Sequence, residues 1–248
     1  MLKRLSEEER ARYRRQLIVP EIGERGQQRI KEATVLIAGL GGLGSLAAYY
    51  LAAAGVGHLK IVDMDRVAVH NLNRQILHFS TDIGALKTDS ARVKLGALNP
   101  WCHIEAMASR IDPDTVNAIV SGCHLIMDGM DNISTRRVLN RASLSGRIPY
   151  IFGAVGGLDG MVSTFIPGRT ACLECLFPTG TREPSGEIGV IGPAAGVIAS
   201  LQSIEALKIL AGQKPGLAGA LMHFHGLSMR LRKTAIDPNP DCHTCSAE

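Results

Sequence analysis

Residues 34–44 read Thr34-Val-Leu-Ile-Ala-Gly39-Leu-Gly41-Gly42-Leu-Gly44. A run of apolar residues leads directly into the spacing G-x-G-x-x-G, and a segment rich in small residues follows over 45–54. Glycines at these positions permit a tight turn and close approach of the backbone to a ligand, while the N-terminus of a helix offers free N–H groups to phosphate. The stretch therefore predicts a strand, turn and helix that bind a nucleotide, with Gly39, Gly41, Gly42 and Gly44 at the turn.

The polar residues that follow favour a nucleoside triphosphate over a dinucleotide. Asp63 stands 19 residues after Gly44, at the end of a second predicted strand over 58–62, where a carboxylate can bind ribose hydroxyls. Further candidates along the chain are Asp65, Asn71, Arg74, Gln75, Lys87, Asp128, Asp131 and Asn132. The two cations, Arg74 and Lys87, together with a carboxylate in addition to Asp63, suit a triphosphate with Mg²⁺.

Strands and helices alternate through the first 153 residues. Strands are predicted over 34–38, 58–62, 102–106, 125–127 and 149–153, and helices over 6–15, 24–31, 43–54, 87–98, 113–120 and 134–145. This alternation is typical of an α/β fold with a Rossmann-like, doubly wound, mainly parallel sheet. From residue 154 onward the pattern predicts an antiparallel hairpin over 155–166, a helix over 194–210 and strands over 220–225 and 228–232.

We therefore expect a single domain over residues 1–248. Residues 1–33 would form N-terminal helices, and residues 34–153 would form the nucleotide-binding part. Residues 154–248 would supply antiparallel strands, a crossover loop and two cysteine pairs.

The cysteine pairs have the sequences Cys172-Leu-Glu-Cys175 and Cys242-His-Thr-Cys245. Each pair places two thiolates on one tight turn, and four sulfurs suit a structural Zn²⁺ with no open coordination position. A redox C-x-x-C pair, or unligated thiols, are the alternatives. Cys102 and Cys123 lie in apolar segments and are expected in the core.

Composition argues against a nucleic-acid or membrane partner. The net charge is +4 and aromatic residues make up 4% of the chain, which leaves little for base stacking. No secretory signal is visible at the N-terminus, and the apolar stretch over 190–201 is too short to span a bilayer. We expect a cytoplasmic protein with reduced or metal-bound cysteines.

These motifs, in this order, resemble the ThiF/MoeB/HesA-type adenylyltransferases, which are bacterial relatives of ubiquitin-activating enzymes, and the pattern is most similar to MoeB-like members. The resemblance runs from Arg12-Tyr-Arg-Arg15-Gln16 to the second cysteine pair. It includes Gly39–Gly44, Val62-Asp63-Met-Asp65, Asn71-Leu-Asn-Arg74-Gln75, Gly84-x-x-Lys87, Asn99-Pro100 and Asp128-x-x-Asp131-Asn132.

The resemblance implies ATP-dependent adenylation of a small ubiquitin-like sulfur carrier (ThiS/MoaD-type). The C-terminal glycine carboxylate of the carrier attacks the α-phosphate of ATP, and pyrophosphate leaves. By the same resemblance, Asp63 binds ribose, Arg74 and Lys87 bind phosphate, Asn71 and Gln75 position the nucleotide, and Asp131 holds Mg²⁺. Arg15 matches an arginine that reaches ATP from the opposite subunit of a homodimer.

One departure from the family concerns a loop cysteine that many relatives use for a thioester or acyl-disulfide. No cysteine lies between Cys175 and Cys242, and Ser185 occupies the expected position. Serine is a poor substitute because its alkoxide is far less available at pH 7 than a thiolate. We expect a protein that stops at the acyl-adenylate.

Three alternatives stay open at this point. The same site could adenylate a small-molecule carboxylate or a short peptide. An NAD-dependent oxidoreductase would leave Arg74, Lys87 and Asp131 without phosphate to bind. A non-catalytic ATP- or carrier-binding scaffold would not need all three of these residues.

Overall fold

The computed structural model describes residues 2–181, 186 and 188–246. Within these residues, eight strands form one sheet: β1 (Thr34–Ala38), β2 (His58–Val62), β3 (His103–Met107), β4 (Leu125–Asp128), β5 (Tyr150–Gly156), β6 (Asp159–Phe165), β7 (Ala220–His225) and β8 (Arg230–Ala235). The order across the sheet is β3-β2-β1-β4-β5-β6-β7-β8.

The sheet is parallel from β3 to β5 and antiparallel from β5 to β8. The predicted α/β class, the mainly parallel sheet and the antiparallel C-terminal strands are confirmed. The chain passes from β1 outward to β2 and β3, and then returns to place β4 on the other side of β1. The sheet therefore has a topological switch point between β1 and β4, where doubly wound proteins bind ligands at the carboxyl ends of the strands.

Alternate side chains of β1 pack on opposite faces of the sheet. Val35 and Ile37 belong to the hydrophobic cluster beneath α4 and α9, which comprise Gly42–Ala53 and Gly192–Ala211. Leu36 and Ala38 belong to the cluster on the other face. A strand covered on both faces is buried throughout, so its sequence is a continuous apolar run.

The remaining helices are α1 (Glu7–Arg12), α2 (Arg14–Leu17), α3 (Gly23–Glu32), α5 (Lys87–Leu98), α6 (Val116–Val120), α7 (Ile133–Gly146) and α8 (Leu173–Leu176). Helix α1 begins with a capping box: Ser6 Oγ accepts from Glu9 N–H, and the Glu9 carboxylate accepts from Ser6 N–H. The helix predicted over 6–15 is interrupted at Tyr13, whose ring is buried and whose hydroxyl accepts from Asn99.

Several predicted boundaries differ from the structure. The helix predicted over 113–120 begins only at Val116, because Asp112 Oδ1 accepts hydrogen bonds from the N–H groups of Asp114 and Thr115 and forms a turn there. The strand predicted to end at residue 153 continues to Gly156, because it pairs with β6 along its whole length. The predicted hairpin over 155–166 is therefore formed by β5 and β6. The last strand, predicted over 228–232, begins at Arg230.

Helix α9 is the one described helix long and apolar enough to cross a membrane by length and composition. Over its most apolar window, 56% is buried inside the protein. It packs against α4 and is capped by Gly212, which has a φ of 86°, the left-handed conformation typical of a glycine after the last turn of a helix.

Candidate functional site

The glycine turn that follows β1 has no room for a side chain at Gly39 or Gly44. Gly39 has a φ of 89°, and a Cβ atom on Gly44 would lie 1.8 Å from the carbonyl oxygen of Gly39. A Cβ atom on Gly129, which follows β4, would lie 2.7 Å from the same oxygen. Helix α4 starts here, and its N-cap, Gly41, offers no side-chain cap. The first N–H groups of α4 are therefore left for a ligand at the switch point.

Asp63 is held rigidly beside this turn. Its Oδ2 accepts a hydrogen bond of 2.7 Å from Leu40 N–H, and its Oδ1 accepts one of 2.8 Å from Asp65 N–H. Only 8% of the side chain is exposed. Burial raises the pKa of the Asp63 carboxyl, while the Lys87 ammonium and the two N–H donors oppose that rise. The carboxylate thus keeps a fixed orientation and has lone pairs left for hydroxyl donors.

Lys87 is the first residue of α5 and is almost fully buried. Its Nζ lies 2.8 Å from Asp65 Oδ2 and 3.9 Å from Asp63 Oδ2. The Asp65 side chain is 61% exposed. A buried ammonium needs such partners because desolvation of an unpaired charge is costly. The structure therefore brings Asp63, Asp65 and Lys87 into one cluster, as the sequence predicted.

The segment 71–75 contributes one buried side chain with an open polar atom. Gln75 is buried, its Oε1 has no hydrogen-bond partner, and its Nε2 would lie 3.9 Å from a Cβ atom on Gly41. Asn71 is also buried, but its Oδ1 accepts from Ala68 N–H and closes a turn. The Arg74 guanidinium donates to His70 O and Asn73 Oδ1. Gln75 is thus placed at the turn, Asn71 shapes its loop, and Arg74 lies folded against that loop.

The loop that follows β4 is built on a buried ion pair. Asp128 is 1% exposed, its Oδ2 lies 2.9 Å from Arg136 Nε, and its Oδ1 accepts from Met130 N–H. Burial raises the pKa of Asp128, and the Arg136 charge opposes that rise. Arg136 also donates to the carbonyl oxygens of Met130 and Gly153. Asp128 therefore holds the loop in place and is not the N-cap of α7.

The N-cap of α7 is Asn132, whose Oδ1 accepts a 2.8 Å bond from Thr135 N–H. Its Nδ2 donates to Asp131 Oδ1 over 3.1 Å. Asp131 is exposed at the tip of the loop. A carboxylate that faces solvent beside the glycine turn has the chemistry of a Mg²⁺ ligand, since Mg²⁺ is commonly bound by one or two carboxylates together with phosphate oxygens.

Arg15 lies far from this cluster within its own chain. It is exposed on α2, and the next residue, Gln16, donates to Ala54 O at the C-terminal end of α4. The glycine turn is at the other end of α4. This helix has 12 residues, so at a rise of 1.5 Å per residue its ends are about 18 Å apart. Arg15 therefore does not join its own chain's cluster.

Sequence reasoning missed the residues that support the site from behind. Gln202 of α9 is fully buried and donates to the carbonyl oxygens of Asp128 and Ile151. His78 is buried with Nδ1 2.9 Å from Ser90 Oγ and Nε2 3.3 Å from Leu40 O. Arg136 is the third such residue. These residues can be recognised as polar side chains in buried positions. The sequence alone does not show which positions are buried, so only the folded structure identifies them.

The four cysteines of the two pairs converge. Their sulfurs lie within 4.8 Å of one another, with 4.0 Å for Cys172–Cys175, 3.8 Å for Cys172–Cys242 and 3.5 Å for Cys175–Cys245. Tetrahedral Zn²⁺ with Zn–S distances of about 2.3 Å needs sulfurs about 3.8 Å apart. The donor set fits zinc, and the predicted cluster is confirmed as a group that could hold it.

The other two cysteines are core residues. Cys102 and Cys123 are 5% and 9% exposed, and burial raises their thiol pKa values to about 12 and about 11. Ser185, which occupies the place of the family's loop cysteine, lies outside the described residues.

Residues 13–244 match the model of the ThiF family. The "Sulfur carrier protein adenylyltransferase" of Thermus thermophilus is 39% identical over 254 residues, which are 99% of this chain and 94% of that protein. The "Adenylyltransferase and sulfurtransferase MOCS3" of Drosophila sechellia is 39% identical over 250 residues, which are 99% of this chain and 55% of that protein. The chain belongs to the ThiF family, and the resemblance seen in the sequence is confirmed. The predicted enzyme class, adenylyltransferase, is the one that both names carry.

The chain spans about half the length of the MOCS3 relatives that it matches. Among solved structures, Escherichia coli MccB with succinimide matches with a TM-score of 0.86 at 21% identity, and the match covers 94% of this chain and 73% of the MccB chain. PaaA matches with a TM-score of 0.81 at 26% identity, and the match covers 95% of this chain and 76% of the PaaA chain. The fold is therefore shared with these proteins.

Proposed function

We propose that this chain is an ATP-dependent adenylyltransferase whose substrate is the C-terminal carboxylate of a small ubiquitin-like sulfur carrier protein. The observation that carries the proposal is the cluster of Asp63, Lys87 and Gln75 around the glycine turn at the switch point. The names of the relatives from Thermus and Drosophila support both the reaction and the carrier.

In this proposal the nucleotide is held at both ends. Asp63 accepts hydrogen bonds from the ribose hydroxyls, because its carboxylate is already fixed by Leu40 and Asp65. The N–H groups at the start of α4 face phosphate oxygens. Gln75 supplies a polar group at the turn that has no partner of its own on Oε1.

Catalysis requires positioning and charge neutralisation more than covalent chemistry. The carrier carboxylate and the triphosphate are both anions, so cations must bring them together. Lys87 would exchange Asp65 for phosphate oxygens, and Arg74 would exchange His70 O for the same purpose. Mg²⁺, held by Asp131, would neutralise charge on the phosphates when bound.

The products are an acyl-adenylate and pyrophosphate. The carboxylate oxygen forms a bond to the α-phosphorus, and the bond from that phosphorus to the bridging oxygen breaks. Because no thiol lies between Cys175 and Cys242, we infer that the reaction of this chain ends there. We further propose a homodimer, in which the exposed Arg15 acts in the site of the opposite subunit.

A second candidate keeps the reaction and changes the substrate to a small-molecule carboxylate or a short peptide. The missing loop thiol favours it, because such a substrate needs no thioester with the enzyme.

The test is ATP–pyrophosphate exchange with Mg²⁺ and purified protein. We expect exchange with an intact Gly-Gly-ended carrier from the same genome and none with a carrier that lacks its last glycine. Lys87→Met should abolish exchange, whereas Lys214→Met, at an exposed lysine, should leave it unchanged. Exchange that needs no carrier would favour the small-molecule carboxylate or short peptide as the substrate. No exchange with any carrier or small carboxylate would overturn both proposed functions.

A further inference from the structure

A second group of metal-ligating side chains lies on the antiparallel part of the sheet. His223 and His225 are alternate residues of β7 and point to the same face, while Phe224 between them is buried in the core beneath α9. Asp159 is the first residue of β6 and lies beside His225, since Gly160 pairs with Phe224. One ligand atom from each of the three lies within 4.8 Å of the other two.

We propose that Asp159, His223 and His225 form a metal site for a divalent transition-metal ion such as Zn²⁺, separate from the four cysteines. Two imidazole nitrogens and one carboxylate oxygen suit Zn²⁺, Co²⁺, Ni²⁺ or Cu²⁺ better than Mg²⁺ or Ca²⁺, which prefer oxygen alone. Three protein ligands leave at least one coordination position for water. The site is therefore open and exchangeable, whereas four cysteines enclose their ion.

The carboxylate is already oriented for this role. Gly226 N–H donates to Asp159 Oδ1 over 3.0 Å, and Asp159 Oδ2 lies 3.8 Å from His225 Nδ1. Ligand atoms at about 2.1 Å from a tetrahedral ion are about 3.4 Å apart. The side chains of Asp159 and His225 are 50% and 42% exposed, so a small rotation closes the gap without disturbing packing.

Two histidines and two arginines lie close together on this part of the sheet. The rings of His223 and His225 have centroids 3.9 Å apart. On the neighbouring strand, Arg232 pairs with His223 and Arg230 with His225, and both arginines are exposed. The exposed arginines are screened by water and salt, so they weaken the binding of a cation without preventing it.

The experiment measures metal binding and does not depend on adenylation activity. Protein with its cysteine cluster saturated in zinc is titrated with Zn²⁺ against a chromophoric zinc indicator. We expect one further, readily exchanged Zn²⁺ per chain. His223→Gln and His225→Gln should each weaken this binding at least 10-fold, and Asp159→Asn should weaken it less because an amide oxygen is still a ligand.

The matched control is His103→Gln, which removes an exposed histidine from β3 at the opposite edge of the same sheet. It should leave the second ion in place. Thermal melting checks each variant independently: Zn²⁺ should raise the melting temperature of the control, but not that of the two β7 variants. The proposal is overturned if the unmodified protein binds no second ion, or if the β7 variants bind it as the control does.

Discussion

The Oδ2 atom of Asp63, which follows β2, accepts a 2.7 Å hydrogen bond from the backbone N–H of Leu40, which lies inside the glycine turn after β1. This contact joins the ribose end of the proposed site to its phosphate end. The same carboxylate lies 3.9 Å from Lys87 Nζ. One buried acid thus bonds to the turn and lies within ion-pair distance of the cation.

Asp63→Asn should raise the ATP concentration needed for half-maximal exchange at least 10-fold. An amide has one acceptor oxygen, so it cannot accept from Leu40, Asp65 and a ribose together, and a lost hydrogen bond to a charged group costs about 1.5–3 kcal/mol. Steady-state exchange at varied ATP measures the effect. Asp89→Asn, on the exposed surface of α5, is the control. An unchanged ATP requirement in Asp63→Asn would contradict the ribose role.

Gly44→Ala and Gly96→Ala should have opposite effects on stability. A Cβ atom at Gly44 collides with Gly39 O at 1.8 Å, whereas one at Gly96 of α5 meets nothing within 4 Å. We expect Gly44→Ala to unfold more readily and to lose ATP binding, and Gly96→Ala to gain about 0.5–1 kcal/mol. Chemical denaturation of both variants checks this. Equal stability of the Gly44→Ala and Gly96→Ala variants would show that the glycine turn can accommodate a Cβ atom at residue 44.

Arg136→Met should destabilise the protein more at pH 7 than at pH 5. The folded-state pKa of Asp128 is raised by burial even with Arg136 present, and loss of that charge raises it further. The stability linked to a raised acid pKa is present below the unfolded-state value and is lost as the pH rises through the folded-state value. At pH 7 an unpaired buried carboxylate costs about 3–5 kcal/mol.

Denaturation of Arg136→Met at both pH values gives this difference directly. The double variant Asp128→Asn/Arg136→Met should recover much of the loss and should depend less on pH, because no carboxylate remains to be ionised. A loss of the same size at pH 5 and pH 7 would show that Arg136 acts through packing on Phe152, 5.1 Å away, and not through Asp128.

Cys242→Ser should release the zinc and loosen the C-terminal segment. The cluster joins residues 70 positions apart in the chain, so an ion bound there would tie the segment after β8 to α8. We expect a lower melting temperature and new protease cleavage after residue 235. Zinc content by elemental analysis should fall in Cys242→Ser but not in Cys102→Ala, which removes a core thiol. Full zinc content in Cys242→Ser would exclude the four-cysteine site.

The residues that sequence reasoning located share one property: their chemistry is local. The glycine turn, Asp63 at the end of a strand and the two C-x-x-C turns each depend on spacing of a few residues, so the sequence shows them directly. The doubly wound, mainly parallel sheet follows because short βαβ connections allow few topologies.

The roles of other residues depend on partners that are distant in sequence. The sequence offers Asp128 only as a candidate, and the fold brings the Arg136 side chain and the Gly153 N–H to its carboxylate. The N-cap of α7 is Asn132, four residues after Asp128. Asn71, predicted to position the nucleotide, has its Oδ1 engaged with Ala68 N–H. The partner of each such side chain depends on which backbone N–H groups are free near it. Only the folded structure shows which N–H groups these are.

The most direct test of the central claim is the intact mass of the carrier after incubation with this protein, ATP and Mg²⁺, with pyrophosphatase present and an acid quench. We expect the carrier to gain the mass of one adenylyl group, which is AMP less one water. The gain should be absent with a carrier that lacks its last glycine and with Lys87→Met. A carrier of unchanged mass, with the wild-type protein folded and able to bind ATP, would contradict carboxylate adenylation.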